Sequence, residues 1–213
     1  MGYKVSKAVV KRLPKYYRYL KQIKSKGIVR VSSSELSQIT GLTPSQIRQD
    51  LNHFGGFGQQ GYGYNVEELI GELQNILGMT VKYNAIILGA GNIGQAIAQY
   101  TGLSDTKFNI TAIFDKSKKL VGKKISDIEV NPIDYLEPYL KKNDVHIAII
   151  AVPLESAQEL ADICMDNGVK GIWNYAPLDL KVREGVRVEN VHLDDSLFTL
   201  TFYLTNPWAA EKK

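Results

Sequence analysis

Apolar residues recur at helical spacing from the start of the chain. Val9, Leu13, Tyr16, Leu20 and Ile23 follow one another at intervals of four and three, a stripe that predicts an amphipathic helix. Its other face carries Lys11, Arg12, Lys15, Arg18, Lys21 and Lys24. Pro14 predicts a kink or a fresh helix start within the stripe, and Gly27 its end. Ser32 and Glu35 then stand at capping-box spacing ahead of Leu36 and Ile39, and Gly41 stops that helix. Thr43 and Pro44 open another, which turns Ile47 and Leu51 inward and leaves Ser45, Gln46, Arg48 and Gln49 to point elsewhere. Two helices about a short glycine turn form a helix-turn-helix, whose second helix lies in the DNA major groove. The run FGGFGQQGYGY, Phe54 to Tyr64, alternates glycines with aromatics and lacks the Lys-Ser/Thr of a P-loop. It predicts a hairpin with Phe57, Tyr62 and Tyr64 packing back, in the position of the wing of a winged helix. Asn65 caps VEELIGELQNILG, an amphipathic helix expected to link this module to the next.

Beyond it the pattern changes to apolar strands alternating with helices. In NAIILGAGNIGQAIAQY, Asn84 to Tyr100, a strand Ala85–Leu88 leads into Gly89-Ala90-Gly91-Asn92-Ile93-Gly94 and a helix Ile93–Tyr100. This is a G-x-G-x-x-G in its proper setting. The first glycine makes the turn, the second lets a pyrophosphate approach the backbone, and the third lets helix and strand pack closely. A second strand, NITAIFD, ends at Asp115, placed to accept both ribose hydroxyls of an adenosine and to repel a 2′-phosphate. That favours NAD(H) over its phosphorylated form, although Lys116 follows directly. Val145–Pro153 reads as a buried parallel strand, SAQELADICMDNG as a helix ended by Gly168, and VKGIWNYAP and VRVEN as further strands. The expected fold is a doubly wound parallel sheet, with ligands at the carboxyl ends of its strands. Val152, Pro153, Asn174, Tyr175, Ala176 and Pro177 fall at those ends and are expected to line the nicotinamide half.

Charge separates the two modules. Residues 1–52 hold 11 Lys and Arg against only Glu35 and Asp50, a net of +9, whereas the remainder carries 15 against 20, a net of −5. A basic module on a mildly acidic one suggests a polyanionic partner for the first, double-stranded DNA given the helix-turn-helix. No Tyr-x-x-x-Lys pair stands beside the dinucleotide motif. Of the three histidines, His53 is in the basic module and His146 begins a strand away from the cofactor end, which leaves only His192 as an acid–base candidate. The expectation is a ligand sensor rather than an enzyme, the alternative a small NAD-dependent oxidoreductase. Cys164, the single cysteine, sits mid-helix among apolar residues and reads as core; metal-ligand spacing is absent. The N-terminus lacks a signal-type apolar run and no stretch is long enough to span a bilayer, so a cytoplasmic protein without membrane contact is expected.

The chain closes with DDSLFTLTFYLTNPW. Asp194 and Asp195 suit a helix start, and the residues after them are apolar on nearly every side. One domain of this size would struggle to bury such a helix, so a homodimer is expected, with the helices exchanged between chains. Three segments result: a winged-helix domain with its linker helix (1–80), a Rossmann domain (81–193) and a swapped C-terminal helix (194–213).

RLPKYYRYL, SSSELSQITGLTPSQIRQDL, FGGFGQQGYGY, GAGNIGQAIAQY, FD, NYAP, VENV and the terminal helix, in this order, resemble the bacterial redox-sensing transcriptional repressor family Rex over nearly the whole chain. The resemblance implies a homodimer that represses genes of fermentation and anaerobic respiration and leaves an inverted-repeat operator when NADH binds, with NAD+ competing. It implies that Arg48 contacts DNA and that Gly89, Gly91, Gly94 and Asp115 hold the cofactor; Arg12, Ser45, Gln46 and Gln49 are expected, from the helix-turn-helix reading, on the same DNA-facing surface. Tyr100 and Arg18 match residues of the family's NADH switch. Some members carry an Asp at the position of His192 that moves between them; here either Asp194 substitutes or the switch is wired differently. Phe198 and Phe202 are expected near the partner's nicotinamide pocket. Several members carry Lys at Gln49; Lys suits guanine and Gln suits adenine, so an A·T pair is expected there. Gln59 and Gln60 occupy a wing tip that is often basic, which implies weaker phosphate contacts. A repressor sensing another nucleotide, such as a coenzyme A thioester, is the further alternative.

Overall fold

The computed structural model describes residues 5–59, 62–100 and 106–209. The chain divides into two compact units, Met1–Val81 and Lys82–Lys213.

The first unit opens with α1 (Lys7–Ser25), capped by the Ser6 hydroxyl, which accepts from the Val9 N–H at 3.3 Å. Val9, Leu13, Tyr16, Leu20 and Ile23 are all buried, as their spacing requires. Pro14 does not begin a new helix: α1 runs on through it. Proline inside a helix costs about 3 kcal/mol, and the burial of side chains on both sides of it, Leu13 and Tyr16 among them, offsets that cost. Next come β1 (Arg30–Val31), α2 (Ser33–Thr40) and α3 (Pro44–Asn52). Ser32 and Glu35 form the full capping box, Gly41 ends α2 at φ 72°, and Thr43 caps α3 with Pro44 in its first turn. The hairpin is β2 (Gly58–Gln59) with β3 (Gly63–Asn65), and β1 joins it to give the order β1-β3-β2. At Gly63, φ is +69° and a Cβ would stand 2.7 Å from the Val31 carbonyl oxygen, so only glycine lets the two strands meet. Tyr64 is buried and Phe57 packs on the core, but Tyr62 is 70% exposed and does not pack back as expected. Helix α4 (Val66–Ile76) puts Leu69, Ile70 and Leu73 into the same core as Leu13, Tyr16 and Leu20 of α1, so it is part of this unit's core.

The second unit is a seven-stranded sheet in the order β10-β9-β8-β4-β5-β7-β6. Its strands are β4 (Tyr83–Leu88), β5 (Phe108–Asp115), β6 (Lys124–Ile125), β7 (Ile128–Pro132), β8 (Ile147–Ile150), β9 (Gly171–Asn174) and β10 (Arg187–Asn190). All pair in parallel except β6, which is antiparallel to β7. Without β6 this is the Rossmann order, with the topological switch point between β4 and β8. Alternate residues feed two cores. Ile86, Leu88, Phe114, Ala148 and Ile150 face one side with Ala157, Ala161 and Cys164 of α7 (Leu154–Asp166); Ile87, Ile113 and Ile149 face the other with Ile97 of α5 (Asn92–Ala98). The helix expected to reach Tyr100 thus ends at Ala98. The edge strand β6, its neighbour β7 and helix α6 (Leu136–Lys142) were not foreseen in the sequence. Helix α8 (Leu193–Thr205) starts beside Asp194 and Asp195, and none of its residues is buried. Among the described residues, no helix is long and apolar enough to cross a membrane.

Candidate functional site

A cleft of about 590 Å³ opens in the second unit where β4, β5 and β8 end. Gly89, Gly91, Asp115, Lys116, Val152 and Pro153 line it, all singled out from the sequence. The three glycines serve different ends. Gly89 has φ +100°, and a Cβ on it would meet the Ala151 carbonyl oxygen at 2.4 Å. A Cβ on Gly94 would lie 1.9 Å from the Gly89 carbonyl oxygen, so the helix could not pack against the turn. A Cβ on Gly91 meets no heavy atom within 4 Å, although Gly91 lines the cleft. Packing therefore demands glycine at 89 and 94, while the space beside 91 suits a ligand pressed against the backbone.

Asp115 closes the end of β5. Its Oδ2 accepts from the Ala90 N–H at 2.6 Å and its Oδ1 from the Ser117 N–H at 2.7 Å, which ties the glycine turn to the neighbouring strand. Both oxygens keep lone pairs for ribose hydroxyls. Ile133, Leu136, Leu160 and Ile163 form an apolar wall that fits a purine, and Asp134, Glu137 and Glu159 add negative charge. The residues present therefore fit an adenine dinucleotide without a further phosphate on its ribose. Ala90 is buried in the turn, Ile93 packs under the sheet, and Asn92 is exposed at the first position of α5.

The stretch after β9 does not behave as expected throughout. Asn174 is fully buried and spends its side chain on its own loop: Nδ2 faces the carbonyl oxygens of Leu178 at 2.7 Å and Ala176 at 3.3 Å, and Oδ1 accepts from the Ala176 N–H. Nδ2 also reaches Asn190 Oδ1 at 3.0 Å. Asn174 thus clasps its own loop, with its side-chain polar atoms already matched. Ala176 is buried behind it and Pro177 is exposed. Tyr175 is half-buried with its ring 5.1 Å from that of Trp173; burial first, then the nearby Tyr100 phenol, push its own phenol up. Tyr100 is 62% exposed. His192 caps α8, its Nε2 lying 3.2 Å from Asp179 Oδ1, which also accepts from Asn190. Nothing in the spacing of the sequence marked Asp179 as its partner. Asp194 is exposed in the first turn of α8, as are Phe198 and Phe202 further along. Cys164 is fully buried, and burial pushes its thiol up to about 12.

In the first unit, α3 exposes Ser45, Arg48 and Gln49, and Arg48 Nη1 donates to Ser33 Oγ at 2.9 Å. Arg12 and Gln46 are tied instead to Asp50, a residue whose importance sequence reasoning missed. Asp50 has no exposed surface, and its carboxylate accepts from Arg12 Nε at 2.6 Å and Nη2 at 2.7 Å, from the Tyr16 hydroxyl at 2.6 Å and from Gln46 Nε2 at 2.8 Å. Burial pushes this carboxyl up, but the bonds from Arg12, Tyr16 and Gln46 outweigh it and hold it below the usual carboxylate range. Arg18 places its guanidinium 5.7 Å from the centre of the Tyr19 ring. Gln59 falls in β2, and Gln60 lies outside the described residues.

Residues 4–52 match a family model described as the N-terminus of a putative DNA-binding protein, and residues 80–178 one described as a CoA binding domain. The fold is similar to the crystal structure of RSP in complex with beta-NAD+ and operator DNA, at 51% identity and a TM-score of 0.90, over 96% of this chain and 94% of that one. It is also similar to RSP in complex with beta-NADH, at 48% identity and a TM-score of 0.89, over 96% of both chains. The redox-sensing transcriptional repressor Rex of Clostridium botulinum is 58% identical over 92% of this chain and 94% of its own length. That of Clostridium tetani is 58% identical over 94% of this chain and 95% of its own. A winged helix joined to a Rossmann unit, with likeness of this extent across both, means that the chain belongs to the family of the redox-sensing transcriptional repressor Rex.

Proposed function

We propose that this chain is a DNA-binding transcriptional repressor that senses the ratio of NADH to NAD+ and leaves its operator when NADH binds. The observation that carries the reading is the cleft beside Gly91 and Asp115, joined in one chain to an exposed recognition-helix face. In this reading the Gly89–Gly94 turn holds the pyrophosphate, Asp115 the adenosine ribose, and Ile133 and Leu136 the adenine. Val152, Pro153 and Tyr175 border the nicotinamide. The bound dinucleotide supplies a ring that is neutral when reduced and cationic when oxidised. A half-buried, largely apolar border disfavours the cation, and such a difference in affinity is what a sensor needs, because equal affinity for two states shifts nothing.

Helix α8 supports a homodimer. Leu197, Phe198, Leu200, Phe202 and Leu204 are each about half exposed or more in one chain, an apolar surface that a second chain would cover. A dimer suits an inverted-repeat operator. We assign no catalysis to the chain, and place it in the cytoplasm, where DNA and nicotinamide dinucleotides meet. A coenzyme A thioester is the second reading, favoured by the description of the family model over residues 80–178. The carboxylates of Asp115, Asp134 and Glu137 weigh against it, since coenzyme A carries a further phosphate on its ribose.

The test is binding to a duplex with a TTGT…ACAA inverted repeat at fixed salt, while NADH is titrated with and without NAD+. Release by NADH, opposed by NAD+, is the expected result. DNA binding that ignores NADH but responds to a coenzyme A thioester supports the second reading. Hydride transfer from NADH to a carbonyl compound beyond one turnover would mark an enzyme.

A further inference from the structure

Gln46 stands in the first turn of α3, where its backbone N–H donates to the capping Thr43 hydroxyl at 3.2 Å. In a helix-turn-helix the N-terminal residues of the second helix meet the base edges. A glutamine side chain has a donor end and an acceptor end. Left to rotate, it can present either, and so it discriminates weakly between bases. Gln46 is not left to rotate. One turn along the helix, Asp50 Oδ1 receives its Nε2 at 2.8 Å.

The chemistry of Asp50 fixes which end is which. Its carboxylate has no exposed surface and is kept ionised by the Arg12 guanidinium, at 2.6 and 2.7 Å, and by the Tyr16 hydroxyl at 2.6 Å. An ionised carboxylate only accepts. Turning the Gln46 amide over would set one oxygen against another at hydrogen-bond distance. The nitrogen must therefore face Asp50, and the carbonyl oxygen Oε1 lies on the far side of the amide carbon. Arg12 also cancels the charge of Asp50, which would otherwise repel phosphates from the foot of the recognition helix.

We propose that Asp50 is a positioning residue for base recognition. By locking the Gln46 amide, it makes α3 read an exocyclic amino group, adenine N6 or cytosine N4, at one position of each half-site. Guanine and thymine offer an acceptor oxygen at the corresponding place in the major groove and are refused there. The proposal rests on the DNA-binding reading above.

The test uses the full chain at fixed salt and a duplex carrying the inverted repeat. Each adenine of a half-site is replaced in turn by purine, which lacks the 6-amino group, and each cytosine by its 4-deamino analogue. Wild type is expected to lose about tenfold in affinity at the position read by Gln46. Gln46→Met is expected to bind more weakly overall but to lose all sensitivity at that position. Asp50→Asn, of the same shape but able to donate, is expected to blunt the sensitivity at that one position while the sensitivity to changes at the other positions of the half-site is kept, an outcome that a purely structural role would not give. Should Asp50→Asn fail to fold, Gln46→Met still decides whether Gln46 reads an amino group, and Arg12→Lys, which keeps the charge but not the paired bonds, takes its place for the lock. A Gln46→Met profile identical to wild type overturns the proposal, as does a folded Asp50→Asn that keeps full sensitivity. If wild type does not prefer the repeat over a scrambled duplex, the DNA-binding reading itself fails, a result distinct from either.

Discussion

Arg12→Met probes the buried network beneath the recognition helix. Met keeps much of the arginine's length and loses its charge. The substitution removes two bonds of 2.6 and 2.7 Å to Asp50 and leaves a fully buried carboxylate with only Tyr16 and Gln46. Breaking a buried pair by deleting one partner costs about 3–5 kcal/mol. The Arg12 side chain is 24% exposed, so part of its charge is already solvated and the lower end, about 3 kcal/mol, applies. Urea is the denaturant to use, because guanidinium would screen the pair. Trp173 and Trp208 both lie in the second unit, so tryptophan fluorescence follows that unit as an internal control, while far-UV circular dichroism records both. Acidity supplies the sign. The Asp50 carboxyl is lowered in the folded state, so its contribution is complete above the unfolded value of about 3.9 and is lost as pH falls through the lower folded value. The gap between wild type and variant should therefore be full at neutral pH and narrow in acid. The Lys24–Glu67 pair is as short, 2.7 Å, but exposed at both ends, and Lys24→Met should leave the midpoint where it is. A loss below about 1 kcal/mol at neutral pH, or a gap that does not narrow in acid, would refute the account.

Other expectations follow from the cleft, the recognition helix and the C-terminus. Gly94→Ala drives a methyl into the Gly89 carbonyl, at 1.9 Å, and should destabilise the second unit by about 1–3 kcal/mol or more, seen as a lower tryptophan-monitored midpoint. Gly91→Ala meets no neighbour and should leave that midpoint unchanged while weakening NADH binding in a direct titration; equal effects of the two would contradict the roles assigned here. Gln49→Lys should move base preference from A·T towards G·C by about 1–3 kcal/mol, and an unmoved preference counts against a base contact by Gln49. A chain ending at Asn190 lacks α8 and should sediment as a monomer and lose its response to NADH; a dimer that still responds excludes α8 from both tasks.

What could be read from the sequence was local or periodic. The α1 stripe, the Ser32–Glu35 capping box and the Gly89–Gly94 turn are each specified within a few residues, and each is present. Strands β4, β5 and β8 were legible because parallel strands buried on both faces are continuous apolar runs. Strand β1 and edge strand β6 have two residues each, too few to show an alternating pattern. Pro14 does not start a helix as its local propensity allows, because that propensity knows nothing of the side chains buried on either side of it. The Asp50 network escaped notice because its partners Arg12 and Tyr16 lie 38 and 34 residues away in sequence. On a helical wheel Arg12 and Gln46 are merely polar; only tertiary structure shows that they share a carboxylate. The Asn174 clasp is hidden for the same reason, since its position at a strand end is visible in the sequence and its partners are not.

Cys164 bears on what kind of redox signal this protein can take. It is the one sulfhydryl in the chain, it has no exposed surface, and its pKa near 12 leaves almost no thiolate at neutral pH. Peroxides and disulfide reagents attack thiolates that they can reach. The folded chain offers them no such handle, and with one cysteine it cannot close a disulfide within itself. Thiol oxidation is therefore not a route by which the folded chain registers an oxidant. The protein reports the state of metabolism rather than the presence of an oxidant.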